Sequence, residues 1–377
     1  VREAAPAAEV HRADVVVIGA GQAGLSAAFF LRRSGYPNWR RGAESGFLVL
    51  DHAARPGGAW QYRWPTLSLD RVHGLYDLPG MAFGEPDGRR PAAEVVPEYF
   101  GRFERTFDLP VLRPAEVRAV RDAGREPGGA VTAGRLIVES DAGSWAARAV
   151  VNATGTWDRP FWPRYPGQES FTGRQLHTAG YPGPGEFRGR RVVVVGGGTS
   201  AVQLLIEIAS VAAETTWVTR RPPVFREGPF TAELGRAAVA RVDEAVRAGR
   251  PPDSVVGVTG LMLTPEVREA RDRGILDRLP MFERITPRGV AWADGTERRA
   301  DVILWATGFR AAIDHLAPLH VREPGGGIVM DGTRVVADPR LHLVGYGPSA
   351  STVGANRAGR GAVREIRELL ARVPSGL

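Results

Sequence analysis

Ala13-Asp-Val-Val-Val-Ile-Gly-Ala-Gly-Gln-Ala-Gly24 is a β-branched run that breaks into Gly-x-Gly-x-x-Gly and continues as an Ala-rich helix. A continuous apolar run of this kind reads as a buried parallel strand. Each glycine then has a separate task. Gly19 permits the tight exit from the strand, Gly21 lets the backbone approach a pyrophosphate, and Gly24 allows close helix–strand packing. The N-terminus of the helix that follows, with Gln22 in the turn, offers free N–H groups and a positive dipole end to an anion. An acid is expected at the end of the next strand, and Phe47-Leu-Val-Leu-Asp51 supplies it. The spacing is longer than usual because Tyr36 to Gly46 intrudes.

The same plan recurs downstream in Arg191-Val-Val-Val-Val-Gly-Gly-Gly-Thr-Ser-Ala201. Here Gly196 and Gly198 occupy the turn, Thr199 and Ser200 follow as further candidate contacts, and Ala201 stands where the first unit has its third glycine. Both units then close alike. Arg135 to Gly155 and Gly289 to Gly308 each read as a strand, a tight turn, a returning strand and an apolar strand ending in Ala-Thr-Gly. These endings are Ala153-Thr154-Gly155 and Ala306-Thr307-Gly308. The turns at Asp-Ala-Gly and Asp-Gly-Thr suit hairpins. A whole domain plan is duplicated, which predicts an α/β fold of two Rossmann-like dinucleotide-binding domains, the second inserted in the first.

The expected boundaries are 1–160 with 309–377 for the first domain, and 161–308 for a linker plus the second. Residues 60–110, rich in aromatics and Pro, read as an excursion from the first domain. Residues 226–285 read as helical and polar, with Glu266-Val-Arg-Glu-Ala-Arg271 as one exposed helix.

The two units differ where ligand choice is made. The strand after the second turn, Thr215 to Thr219, ends in Arg220-Arg221 rather than in an acid. A carboxylate would repel a ribose 2′-phosphate, whereas guanidinium pairs with it bidentately. The first site therefore reads as FAD and the second as NADPH, a pairing made for hydride transfer to flavin.

Composition narrows the options further. The chain has 377 residues, 43% of them hydrophobic and 24% charged, as in ordinary soluble proteins. Its net charge is +7, and all 49 basic residues are Arg. They are scattered among acids rather than clustered, which argues against nucleic acid as a partner. There is no Cys, which excludes disulfides, thiolate metal sites and Cys-based redox relays. No metal is expected. The first thirteen residues lack the order of a signal peptide, and the glycines at 19, 21 and 24 break the only run that resembles a membrane span. The expectation is a cytoplasmic enzyme, with a homodimer as an oligomeric option.

The stretch Phe171-Thr-Gly173-Arg-Gln-Leu-His177-Thr-Ala-Gly-Tyr181 precedes the second Gly-rich turn. It matches the fingerprint Phe-x-Gly-x-x-x-His-x-x-x-(Tyr/Phe) of the flavin-containing monooxygenases, and the chain resembles that family from Asp14 to about Arg364. Tyr181 leans towards the branch that oxidises heteroatoms, since the related Baeyer–Villiger enzymes carry Trp there. In relatives, a segment like Pro56-Gly57-Gly58-Ala59-Trp60 lies along the flavin, and the backbone near Val117 meets the adenine. Leu341 to Gly347, with Gly345, resembles the last strand of the FAD domain. The resemblance implies an NADPH- and O₂-dependent monooxygenase acting on a small sulfide, amine or ketone through a C4a-peroxyflavin. The residues would position cofactors rather than act as nucleophiles. The active-site Asn of better-known members and the active-site Arg of Baeyer–Villiger enzymes have no counterpart in the pattern, and His73 is a lone candidate for the pocket. Without Cys, a disulfide-reductase activity is excluded. The remaining alternative is an NADPH-dependent electron-transfer reductase or NADPH oxidase.

Overall fold

The computed structural model describes residues 9–72, 75–125, 134–228, 232–251 and 260–372. A mixed sheet and a parallel one carry the architecture. In the first, β1 (Val10–Ile18) pairs in parallel with β2 (Phe47–Leu50) on one side and with the strand Gly143–Asn152 on the other. β2 pairs in turn with the short β3 (Val111–Leu112). Two further strands, β4 (Val117–Asp122) and β5 (Leu136–Ser140), form an antiparallel extension onto β6, the strand Gly143–Asn152. The pairing of Ser140 with Gly143 confirms a tight hairpin at the Asp-Ala-Gly turn. Val15, Val16, Val17 and all of β2 are buried, as expected of strands covered on both faces.

The second sheet is all parallel. Its core is β7 (Arg174–His177), β8 (Arg191–Val195) and β9 (Glu214–Thr219), completed by Arg278–Pro280 outside β9 and by Val302–Trp305 between β8 and β7. The chain then returns to the first sheet, where Leu341–Leu343 pairs in parallel with β6. The expected insertion of one dinucleotide-binding plan into another is therefore the observed topology. The Asp-Gly-Thr hairpin is present as well, with Ala291 opposite Glu297. The exposed helix expected after residue 260 spans Pro265–Asp272, opened by Thr264, whose hydroxyl accepts from the Val267 amide.

The excursion packs on the first unit through the helix α2 (Ala92–Thr106). Its Tyr99, Phe100 and Phe103 are buried in the same cluster as the first Gly-rich helix. The Tyr99 hydroxyl accepts from the Leu78 amide at 2.7 Å and donates to the Met81 carbonyl at 2.6 Å, which fixes the excursion's course. No helix among the described residues is long and apolar enough to cross a membrane.

Candidate functional site

The two Gly-rich turns are built on one steric plan. Gly19 has φ +97°, and a Cβ there would fall 2.7 Å from the Ala153 carbonyl oxygen. Gly196 has φ +146°, and its Cβ would fall 2.2 Å from the Ala306 carbonyl oxygen. Each turn is thus pressed against the Ala-Thr-Gly that ends its own sheet, and only glycine fits. Gly21 and Gly198 differ, because a Cβ on either would meet nothing within 4 Å. Both are helix N-caps with no side-chain cap and no acid in the first turn. Each leaves helix N–H groups facing open space, the arrangement that suits a pyrophosphate. Gly24 would place a Cβ 1.8 Å from the Gly19 carbonyl oxygen, whereas Ala201 carries one in a fully buried position.

Neighbouring segments complete the first site. A Cβ on Gly58 (φ +50°) would lie 2.8 Å from the Gly21 Cα, so the Pro56 to Trp60 segment abuts the turn. Ala59 and Trp60 continue it as a 3₁₀ turn, and Trp60 packs against the cores of both units. Gly345 (φ +71°) brings the end of the returning strand to Ala23 in α1 (Gln22–Arg33). The Gln22 amide donates to Asn356 Oδ1 at 3.1 Å. Val117 opens β4 beside an irregularity in its pairing with β5. His73 lies outside the described residues.

Asp51 ends β2 buried, with 3% of its surface exposed. Its Oδ2 accepts from Arg113 Nε at 2.9 Å, and Arg113 also grips Glu104 through two hydrogen bonds of 2.7 Å. Oδ1 faces the His52 ring at 3.9 Å. The sequence reading did not find Arg113 or Glu104, because both reach Asp51 only through the fold. A buried, oriented carboxylate at this strand end fits a ribose diol.

The second site has the opposite chemistry. Arg220 and Arg221 follow β9 exposed, and neither forms an ion pair with a described residue. Thr219, the residue before them, contacts the turn, its Cγ2 lying 3.7 Å from a Cβ built on Gly197. Thr199 and Ser200 open α3 (Thr199–Ala209).

The fingerprint residues are spread through the second unit, and of them His177 bonds the second crossing. A Cβ on Gly173 would be 2.5 Å from the Asp301 carbonyl oxygen and 2.4 Å from the Phe171 ring. His177 ends β7, with 3% of its surface exposed. The Ala179 amide donates to its Nδ1 at 3.1 Å, which leaves the proton on Nε2, and Nε2 donates to the Gly308 carbonyl at 3.0 Å. Burial holds this imidazole below its ordinary pKa, partly opposed by the Gly308 hydrogen bond. Tyr181 stacks on Phe187 at 5.4 Å in the core beneath α3. Burial, and then the Glu207 carboxylate, hold its phenol far above the usual range.

Each Ala-Thr-Gly is locked to the stretch that follows the other one. The Thr154 hydroxyl donates to the Ala312 carbonyl, and the Thr307 hydroxyl donates to the Phe161 carbonyl. Backbone bonds run alongside, from Ala312 N to Gly155 O, from Phe161 N to Gly308 O and from Arg310 N to Arg159 O. The hydroxyls of Thr154 and Thr307 are thereby engaged within the protein.

Comparison with known proteins agrees with this architecture. A family model described as pyridine nucleotide-disulphide oxidoreductase matches residues 16–251, which places the chain in that family although it has no Cys to form a disulphide. The structure of a flavin-containing monooxygenase from Stenotrophomonas maltophilia superposes with a TM-score of 0.78 and 39% identity, over 96% of this chain and 99% of that one. The chain belongs to the flavin-containing monooxygenases. This flavin-containing monooxygenase is also 26% identical to a Baeyer–Villiger monooxygenase of Streptomyces coelicolor, over 80% of its own length but only 65% of that protein's. An uncharacterised CzcO-like oxidoreductase of Geobacillus kaustophilus is 25% identical over 83% of this chain and 88% of its own. The monooxygenase is thus an oxidoreductase of the two-dinucleotide-binding flavoprotein type.

Proposed function

We propose that the first turn, with Gly19, Gly21, Gly24 and Asp51, holds FAD, and that the second, with Gly196, Gly198, Ala201, Arg220 and Arg221, holds NADPH. The units are then 1–160 with 309–377 for FAD and 161–308 for NADPH. The enzyme uses O₂ to oxygenate a small sulfide, amine or ketone. One observation carries the cofactor assignment. The strand that follows each open turn ends in opposite charge, a buried carboxylate in one unit and two unpaired guanidiniums in the other. The carboxylate accepts from ribose hydroxyls and repels a 2′-phosphate, and the guanidiniums attract it.

Bound flavin, reduced by NADPH and reoxidised by O₂, supplies the oxygen-transfer chemistry. The chain's own residues bind, orient and shield. Both nitrogens of His177 are committed to backbone partners, so the residue moves no proton and instead clamps the second crossing. Trp157, stacked on Phe309 at 4.9 Å, forms an apolar wall where the crossings leave the two sheets.

The reading is tested by reducing the yellow protein with NADPH without air, then mixing it with O₂ and thioanisole. Oxygenation predicts sulfoxide formed in proportion to NADPH consumed. Reoxidation that yields hydrogen peroxide alone, with every small sulfide, amine and ketone tried, would replace the monooxygenase reading by an NADPH oxidase.

A further inference from the structure

One cation at the junction has no counter-charge. Arg63 follows the 3₁₀ turn Gly58–Tyr62, and its guanidinium lies 5.3 Å from the Trp60 ring centroid and 4.9 Å from that of Trp157. Its Nε is enclosed and has no hydrogen-bond partner. Arg63 forms no ion pair with any described residue. Burial pushes its guanidinium below the usual value. Arg63 is half-buried, and a partly desolvated guanidinium ordinarily gains a carboxylate or several carbonyls, because aromatic faces alone replace only part of its hydration.

The rings around Arg63 come from three parts of the chain. Trp157 stacks with Tyr62 at 6.3 Å and 13°, and with Phe309 at 4.9 Å and 22°. Tyr62 belongs to the segment that abuts the first turn, Trp157 follows the first crossing and Phe309 follows the second. Tyr62 is 41% exposed, so this stack opens to solvent. In the cofactor assignment proposed above, the phosphates of the two dinucleotides are held at the uncapped helix N-termini and at Arg220 and Arg221. Arg63 is left for an anion that is not part of either cofactor.

We propose that Arg63 anchors a carboxylate on the molecule being oxygenated, and that the enzyme's preferred substrates are planar organic acids whose rings lie against Tyr62, Trp157 and Phe309. The fork of guanidinium N–H groups matches a carboxylate bidentately. This substrate class rests on the monooxygenase reading above, whereas the anion site itself does not require turnover.

The test is equilibrium binding to the FAD-loaded enzyme, without NADPH, followed by flavin absorbance and by calorimetry. The probes are thioanisole and 4-(methylthio)benzoic acid, which share the sulfide and differ in the carboxylate. The wild type should bind the acid roughly tenfold or more tightly than the neutral sulfide, as expected of a charge-assisted contact. In Arg63→Met that ratio should fall to near one, and Arg63→Lys should restore part of it. Equal binding by the wild type, or a ratio that Arg63→Met leaves unchanged, overturns the proposal. If Arg63→Met loses its flavin, the wild-type comparison and Arg63→Lys decide. A wild type that binds the acid through Arg63 yet makes only peroxide from it would sink the monooxygenase reading and leave the anion site standing.

Discussion

The hydroxyl of Thr154 donates a 2.6 Å hydrogen bond to the carbonyl oxygen of Ala312, a residue 158 positions away on the other crossing. It ends a chain of donors, since His315 Nε2 donates to Asn152 Oδ1 at 2.6 Å and the Asn152 amide donates to Thr154 at 3.1 Å. Thr154→Val removes one donor and one acceptor from this partly buried chain. The cost should be about 1–3 kcal/mol, seen as a thermal midpoint lowered by a few degrees. Thr154→Ser should stay near wild type. A Val variant as stable as wild type would show that the crossing is held by its backbone bonds alone.

Gly21 and Gly24 should fail in different ways. Gly21→Val places its side chain in open space, so the protein should fold, remain soluble and emerge colourless. Gly24→Val collides with the Gly19 carbonyl, where even a Cβ would sit at 1.8 Å, so the sheet itself should not assemble. Flavin absorbance and circular dichroism on both variants check this. A yellow Gly21→Val protein would move FAD away from this turn.

Arg220→Ala should raise the KM for NADPH roughly tenfold and leave that for NADH nearly unchanged. The estimate follows from the loss of one charge-assisted contact of about 1.5–3 kcal/mol, discounted for exposure. Equal effects on the two cofactors would remove the 2′-phosphate from this position.

His177→Ala should retain FAD yet divert NADPH towards hydrogen peroxide. The second crossing loses its clamp at Gly308, and a misplacement of about 1 Å can cost on the order of 10²-fold in an oriented reaction. NADPH oxidised, peroxide formed and thioanisole converted are measured in one assay. A folded variant with unchanged coupling would reduce His177 to a local hydrogen-bonding residue.

Burial lowers the pKa of His315 to about 4. The unfolded imidazole accepts a proton near pH 6.5, and the folded one refuses it until much lower. Falling pH therefore favours the unfolded chain throughout the window from about 6.5 to about 4, and this part of the stability is fully present above it. His315→Gln keeps a donor for Asn152 without titrating, so its thermal midpoint should decline less between pH 7 and pH 5. Parallel declines in the two proteins would place the acid sensitivity elsewhere.

Much of the fold was legible because its constraints are local. The glycines of each turn, the β-branched runs and the Ala-Thr-Gly endings all announce backbone geometry within a few residues. Even the long spacing to Asp51 has a local cause. The intruding segment folds back on the first strand, with the Trp39 indole donating to the Arg12 carbonyl at 2.7 Å and Asn38 bridging to Phe47. The features that escaped are contacts between distant residues of ordinary type. Arg113 reaches Asp51 across 62 positions, in a chain where Arg is everywhere. Nothing in the pattern of Thr154 or Thr307 distinguishes a threonine that faces a ligand from one that bonds the neighbouring crossing. Arg63 is conspicuous only once its lack of a partner is known.

The antiparallel bridge between Pro160 and Phe309 means that the chain departs and comes back at nearly one point. The intervening portion is therefore a cassette whose two ends already meet. Its ends meet but its core does not stop there, since Trp64, Leu67 and Ala92 are buried with Val194 and Leu204, and Val246 is buried with Leu341 and Leu343. A nicotinamide-binding module transplanted at this junction therefore has to bring matching surfaces for Trp64, Leu67 and Ala92 and for the returning strand at Leu341 and Leu343.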